Sequence, residues 1–393
     1  MSLTSFRPAA VAATELVVRA RTVGRETAAR FASDVDLAAR FPRESVDALR
    51  ETKLLSALIP TAQGGSEATM RELAAMCTAI AQGCGSSGMI FAMHQIQVAC
   101  LVRHARHSPA FCAYLDEIAE RQLLLASITS EVGTSGDTRS SICAVERAGG
   151  QFRLAKDATT VSYGEDADDL LVTCRRAADA PSSDQLLVLC RKRSVALERT
   201  GEWNTLGMRG TCSPAYRMTA HGPDEHIVDV PFADISAQTM VPYSHILWSA
   251  VWLGIASDAA ARAAAFVRAE ARKKPGTIPP TAMRLAELSV VLQTFRQNVA
   301  AAASDFDALG AEMGPLSGMP WALRMNNLKI ASSRSVVDVV HQALQIIGIA
   351  GYRNDTSYSV GRQYRDALSA SLMVSNDRIL AKGASMLLVL KDE

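Results

Sequence analysis

The sequence predicts an α+β multidomain protein. It reads as an N-terminal all-α domain over residues 1–122, a central antiparallel, barrel-like β domain over 123–236 and a C-terminal four-helix bundle over 237–393. Three observations predict this. Apolar residues recur at three- and four-residue spacing at both ends of the chain, the period of helices with one buried face. Short apolar runs broken by turn residues fill the middle, as in a β domain. The composition is 48% hydrophobic but only 5% aromatic, which suits closely packed helices built from small and aliphatic side chains.

Taken in order, the helical spacing covers Ala10–Ala32 and Glu44–Leu55, breaks at Leu58-Ile59-Pro60 and Gly64-Gly65, and resumes over Met70–Gln82 and Met89–Arg103. The strand-like runs are Leu123–Ile128, Ser141–Val145, Gln151–Leu154, Leu170–Cys174, Gln185–Cys190 and Tyr216–Thr219. Between them lie turn clusters at Ala148-Gly149-Gly150, Gly164–Asp166, Pro181–Asp184 and Gly222–Asp224. Four long helical stretches follow, Ile246–Lys274, Thr281–Leu309, Pro320–Ile347 and Asp366–Leu390. Short links join them, the pattern of an up-down bundle.

Composition excludes several classes. The 41 Lys and Arg nearly cancel the 40 Asp and Glu, leaving a net charge of +1. Bulk charge therefore gives no drive toward nucleic acid, and high hydrophobicity with low net charge argues against disorder. No run of about 18 uncharged apolar residues points to a membrane span. The N-terminus lacks an apolar core followed by a cleavage site, so the expectation is a cytoplasmic protein. The eight cysteines include no C-x-x-C pair and no zinc spacing, so no metal is expected. They read as reduced thiols, with Cys84 and Cys212 the two in Gly/Ser-rich settings where a reactive thiol would stand.

Four segments carry the chemistry. Ser127–Asp137 runs a strand into a loop of hydroxyls and glycines, Ser130-Glu131-Val132-Gly133-Thr134-Ser135-Gly136. Such a loop can offer N–H and O–H donors to a flavin ring or a phosphate, or be a plain surface turn. Thr159–Asp168 also ends a strand in hydroxyls. Trp203–Thr211 contains Leu206-Gly207-Met208-Arg209-Gly210-Thr211. Ala343–Tyr352 ends a helix at Gly348 and precedes Tyr364-Arg365-Asp366.

In this order and spacing the four segments resemble the acyl-CoA dehydrogenase family, whose fold also houses flavin-dependent monooxygenases. The S/T-E-x-x-x-G-D, L-G-x-R-G-T, A-x-Q-x-x-G-G-x-G-Y and Y-R-D patterns match Ser130–Asp137, Leu206–Thr211, Ala343–Tyr352 and Tyr364–Asp366, with Ile349 replacing one glycine. Arg272–Gly276 matches R-K-x-F-G with Pro275 for Phe, and Ser86-Ser87-Gly88 leading to His94 is similar to the helix lining the acyl pocket.

The resemblance implies bound FAD, a homotetramer or homodimer, and a site between the β domain and the bundle. It implies that Thr129, Ser130 and Ser162 lie at the flavin ring. Arg272, Gln345 and Gly348 would reach the diphosphate and adenosine of a neighbouring subunit's FAD, and Ser87, His94, Gly136 and Val374 would face the substrate. Two bland readings stay open: Arg272 as a helix-end cation and Gln345 as a satisfied core amide.

The family's dehydrogenases need a carboxylate to take the α-proton of an acyl thioester. The eighth residue after Asp366 is Val374, and the alternative position on the preceding long helix is Ser244, beside His245. Asp377, one helical turn past Val374, and the histidines His94 and His245 are the replacement candidates. The leading expectation is an oxidoreductase performing α,β-dehydrogenation of an acyl thioester on CoA or an acyl carrier protein, with an electron-transfer flavoprotein or oxygen as acceptor. The alternatives are a flavin-dependent monooxygenase, for which a missing glutamate is no loss but whose frequent histidine on the last helix is absent from Ser369–Asp377, and a non-catalytic family member. Arg139, Arg175, Arg176 and Lys273 are the candidate basic groups for CoA.

Overall fold

The computed structural model describes residues 14–310 and 312–390. The start of the expected Ala10–Ala32 helix and the N-terminal segment lie outside the described residues. The N-terminal region opens with α1 (Glu15–Thr22), a π-helical segment (Val23–Ala28) and α2 (Ala29–Ala38). It continues with α3 (Arg43–Glu51), α4 (Met70–Gly83), α5 (Gly85–His104) and α6 (Pro109–Arg121). A capping box starts α4, with Thr69 and Glu72 satisfying each other's backbone N–H. Sequence periodicity missed α6, whose start is marked by Ser108 and Pro109.

Seven strands follow: β1 (Leu125–Ile128), β2 (Glu146–Ala148), β3 (Gln151–Ala158), β4 (Asp169–Arg175), β5 (Gln185–Arg191), β6 (Val195–Arg199) and β7 (Tyr216–Pro223). They form two sheets, ordered β1-β4-β5 and β2-β3-β7-β6. The second is wholly antiparallel, whereas β1 pairs with β4 in parallel, Leu125 opposite Asp169. β4 and β5 are buried on both faces and read as continuous apolar runs. β3 and β7 alternate buried with exposed residues, as strands with one wet face do. β6 escaped the sequence reading because Val195–Arg199 is short, ends in Glu198-Arg199 and has no fully buried residue. The expected turn at Gly222 is instead the end of β7.

The helical C-terminal region begins with α7 (Phe232–Ile235) and runs through a π-helical segment (Ser236–Met240) into α8 (Val241–Lys273). Then come α9 (Thr281–Leu309), α10 (Met319–Ile347), α11 (Ile349–Tyr352), α12 (Gly361–Leu368) and α13 (Asn376–Leu387). The expected single helix Asp366–Leu390 is broken: after a 3₁₀ turn at Ser369–Ser371 the chain turns at Val374 and Ser375, both at positive φ (53° and 39°).

Helix α8 lies centrally, packed by α4 and α10. Phe232–Lys273 is the described helix long and apolar enough to cross a bilayer by length and composition, with 61% of its apolar window buried. Glycines allow the close approach: a Cβ on Gly254 of α8 would sit 2.5 Å from the Thr78 carbonyl oxygen of α4. That contact is what the small-residue composition provides for. One continuous apolar cluster joins the N-terminal helices, both sheets and the bundle.

Candidate active site

The loop after β1 is built around Glu131. Its carboxylate is 4% exposed, accepts from Ser141 Oγ (2.7 Å) and the backbone N–H groups of Ile142 (3.1 Å) and Cys143 (2.5 Å), and lies 3.2 Å from Lys156 Nζ. Burial works to raise its pKa, yet these donors and the Lys156 charge bring it below the ordinary value, so it stays a carboxylate. Lys156, on β3, also donates to the Thr173 carbonyl of β4 at 2.6 Å and so ties the two sheets together.

With its base fixed, the loop presents its hydroxyls. Ser130 Oγ donates to the Thr160 carbonyl (2.7 Å) and accepts from the Thr160 N–H (3.1 Å), clamping the loop to the turn after β3. Thr129 is half-buried, and its hydroxyl has no partner among the described residues. Ser162 Oγ accepts from Ser213 Oγ at 2.9 Å, and Ser213 Oγ lies 2.9 Å from Thr211 Oγ1. Ser162 therefore keeps its own proton for an outside acceptor. This chain joins Ser162 to the Leu206–Thr211 segment.

The far wall is the Val374–Ser375 turn and the first turn of α13. The Arg378 guanidinium reaches across to the carbonyls of Ser135 and Gly136. Gly136 is required there: φ is +75°, and a Cβ would lie 3.2 Å from Arg378 Nη1. Val374 and Ser375 are half-buried; Asp377 is exposed and takes no cap hydrogen bond. Behind the turn, Lys329 of α10 donates to Asn376 Oδ1 at 2.7 Å.

The expected bases differ in what they can do. Leu125 N–H donates to His94 Nδ1 (3.0 Å), so Nε2 carries the proton and donates to the Leu55 carbonyl (2.7 Å). Both nitrogens are thus used, and burial lowers the pKa to about 4. His94 staples α5 to the start of β1 and has no lone pair left to take a proton. His245 Nδ1 donates to the Met325 carbonyl (3.0 Å), and its Nε2 has no partner among the described residues; burial lowers its pKa to about 4 as well. Ser87 is 1% exposed and bonds Ser45 Oγ at 3.0 Å, which ties α5 to α3.

The remaining expected cofactor residues lie elsewhere. α8 and α10 run parallel, since His245 meets Met325 and Trp252 meets Lys329. Gln345 and Gly348 therefore stand about 24–28 Å along α10 from Lys329, and Arg272 is at the same far end of α8. All three are exposed. One chain does not bring them to the hydroxyl loop. The candidate CoA cations are engaged locally, Arg176 with Asp184 (3.0 Å), Lys273 with Glu270 (2.6 Å) and Arg175 with the Ile142 carbonyl (3.2 Å). Arg139 stands 3.9 Å from Asp137. Burial pushes the Cys212 thiol up to about 11, away from a reactive thiolate. A cavity of about 770 Å³, bordered by Ile142, Arg153, Asp157 and His221, opens over the four-stranded sheet rather than at the Val374 turn.

Models of the acyl-CoA dehydrogenase N-terminal and C-terminal domains match residues 12–109 and 236–377, together more than half of the chain. The chain belongs to the acyl-CoA dehydrogenase family. Among its relatives, the probable FMNH2-dependent monooxygenase SfnC of Pseudomonas putida is 24% identical over 84% of this chain and 85% of that protein. Cyclohex-1-ene-1-carbonyl-CoA dehydrogenase of Geobacter metallireducens is 23% identical over 90% and 92%. FMN-bound TdsC of Paenibacillus sp. A11-2 superposes with a TM-score of 0.84 at 19% identity, covering 95% of this chain and 97% of that one. The fold therefore spans oxygenases and dehydrogenases, and only site chemistry separates them.

Sequence reading missed three residues of this candidate site. Lys329 sits in the buried face of α10 among Met325, Leu328, Ser332 and Val336, an interruption of apolar periodicity that could have marked it. Glu131 stood inside a recognised motif without an assigned task. Arg378 follows Asp377 and read as part of a helix start.

Proposed function

We propose that the protein is a flavin-dependent monooxygenase that works with reduced flavin and oxygen on a small organic substrate. The observation that carries this reading is Val374: an aliphatic side chain stands at the turn where a dehydrogenase of this family needs a carboxylate, and Ser244 is no substitute. The residues present fit a flavin. Thr129 and Ser162 have protons to give, Ser130 fixes the loop edge, and Arg378 brings a cation to the Gly136 carbonyl, a donor set suited to ring carbonyls and a phosphate. When bound, the flavin supplies the reducing equivalents and the oxygen chemistry. The protein's part is to orient the ring through these hydroxyls and keep water out with Val374 and neighbouring aliphatic groups.

Within one chain only the ring-side residues converge, so an FMN-sized group suffices there. FAD would draw Arg272, Gln345 and Gly348 from a second copy, which is the basis for proposing a homo-oligomer. A second reading, acyl thioester dehydrogenation, rests on Asp377, three residues beyond Val374 on an exposed helix start. Its use as a base requires α13 to turn inward.

The test loads the protein with FMN or FAD anaerobically. Bleaching by a reductase but not by acyl-CoA thioesters, followed by oxygen-dependent product formation, is the expected result. Bleaching by an acyl-CoA would replace the oxygenase reading with the dehydrogenase one.

A further inference from the structure

Lys329 is fully buried, at 0% exposure, where α10 meets α8 and α13. Among the described residues no carboxylate pairs with it. It donates to Asn376 Oδ1 (2.7 Å), and its ammonium stands 5.8 Å from the centre of the Trp252 ring. An ammonium has three protons to give. A methionine or leucine would fill the same volume without burying a charge, so the charge does something that packing does not.

That something is legible in what Asn376 holds. Asn376 is the first residue of α13 and follows two consecutive non-glycine residues in the left-handed region, Val374 (φ 53°) and Ser375 (φ 39°). A β-branched residue there is an outlier and persists only where its surroundings fix it. The Ser375 N–H donates to the Leu372 carbonyl (3.0 Å), and Asn376 Nδ2 donates to Ser333 Oγ (3.0 Å) while its Oδ1 accepts from Lys329. Arg378 ties the same helix start to the Ser135 and Gly136 carbonyls. Two cations thus anchor a helix N-terminus, the end that repels cations. Helix stability is not what places them.

We infer that Lys329 is a positioning residue of the cleft, whose protonated ammonium holds Asn376 and so sets the Val374–Ser375 turn that faces the cofactor and substrate. The inference rests on the flavin reading above for what the turn faces, but the positioning is independent of it. The titratable group that faces Lys329 is His245 on α8, itself held neutral by burial and by the charges of Lys329 and of Lys382 on α13, while α10 contributes the Ser333 hydroxyl that shares Asn376. None supplies a counter-charge. Burial lowers the Lys329 pKa to about 8, so the charge-assisted bond to Asn376 weakens within an accessible pH range.

The experiment compares wild type, K329M and K329R. FMN affinity is measured by fluorescence quenching between about pH 6.5 and 9.5. Wild type loses about tenfold in affinity through a break near pH 8. K329R is flat at the tight level because arginine does not deprotonate, and K329M is flat at the weak level. A residue that merely packs would weaken binding without a break, so a flat wild-type profile, or the same break in K329M, overturns the inference. Hydrogen exchange of segment 372–379 without flavin, at a single neutral pH, reads the turn itself. Exchange faster in K329M and unchanged in K329R supports it; unchanged exchange in K329M overturns it. If FMN binds at no pH while the exchange result holds, the flavin reading has failed and the positioning role has not.

Discussion

The backbone N–H of Met208 donates to the Asp366 carboxylate at 2.6 Å, with Met208 4% and Asp366 3% exposed. Around this bond a Cβ on Gly207 would sit 2.2 Å from the Arg365 carbonyl oxygen, while Arg365 bonds the Leu206 carbonyl (3.0 Å) and pairs with Asp36. Two segments far apart in sequence, Leu206–Thr211 and Tyr364–Asp366, are the halves of one latch between the β region and the bundle. Their motif character is structural before it is chemical.

Breaking the latch has a stated cost. Asp366→Ala leaves the buried Met208 N–H without an acceptor and lowers stability by about 1–3 kcal/mol. Asp366→Asn keeps an acceptor oxygen and loses less. Urea unfolding of the two variants checks the order; equal losses would show that the carboxylate charge, not the hydrogen bond, matters.

The loop base makes a second case. Lys156→Met strands the buried Glu131 charge and destabilises by about 3–5 kcal/mol, whereas the double change Lys156→Met with Glu131→Gln recovers a large part of it. A double-mutant cycle by chemical denaturation measures the coupling. Additive single effects would mean that the 3.2 Å pair contributes nothing specific.

How much of this was legible depends on what each residue reports locally. The boundaries of α9 were read from periodicity to the residue, because one buried face (Leu288, Phe295, Val299, Phe306) sets the period and Pro280 and Gly310 bracket it. The break at Val374–Ser375 was not, because no glycine or proline marks it and the polar run Ser375–Arg378 reads equally as the wet face of a continuing helix; tertiary contacts from Lys329 and Arg378 impose it. Likewise His94, a lone histidine on an apolar helix, read as either a base or a structural residue. Its partners, Leu55 and Leu125, offer only backbone groups, which sequence pattern does not display.

Acid should weaken the fold through His94 and His245. Both are buried and neutral, with pKa values lowered to about 4 from an ordinary value of about 6.5. Between those values the unfolded chain takes up protons that the folded chain refuses. Their stabilising contribution is complete above about pH 6.5 and is lost as pH falls through about 4, with a slope near 1.4 kcal/mol per pH unit for each histidine. Urea midpoints measured across that window should show the slope, and His245→Phe should remove about half of the part due to the pair. A midpoint that does not fall on acidification would contradict the neutral assignment of both rings.

The turn itself offers a gain-of-function test. Val374→Glu puts a carboxylate at the family's base position and relieves the turn of a β-branched residue in the left-handed region, where an unbranched side chain is less strained. The substitution leaves the hydrogen bonds of Ser130, Ser162 and Arg378 untouched, so the proposed flavin-side donors keep their places. If the missing carboxylate is what separates this chain from a dehydrogenase, the flavin-loaded variant should be bleached anaerobically by an acyl-CoA at least about tenfold faster than wild type, a barrier change of about 1.4 kcal/mol. Oxygen-dependent turnover of the reduced protein should fall as the charged side chain admits water beside the ring. Bleaching of wild type and variant at the same rate would place the proton acceptor elsewhere, and Asp377→Asn would then decide whether α13 supplies it.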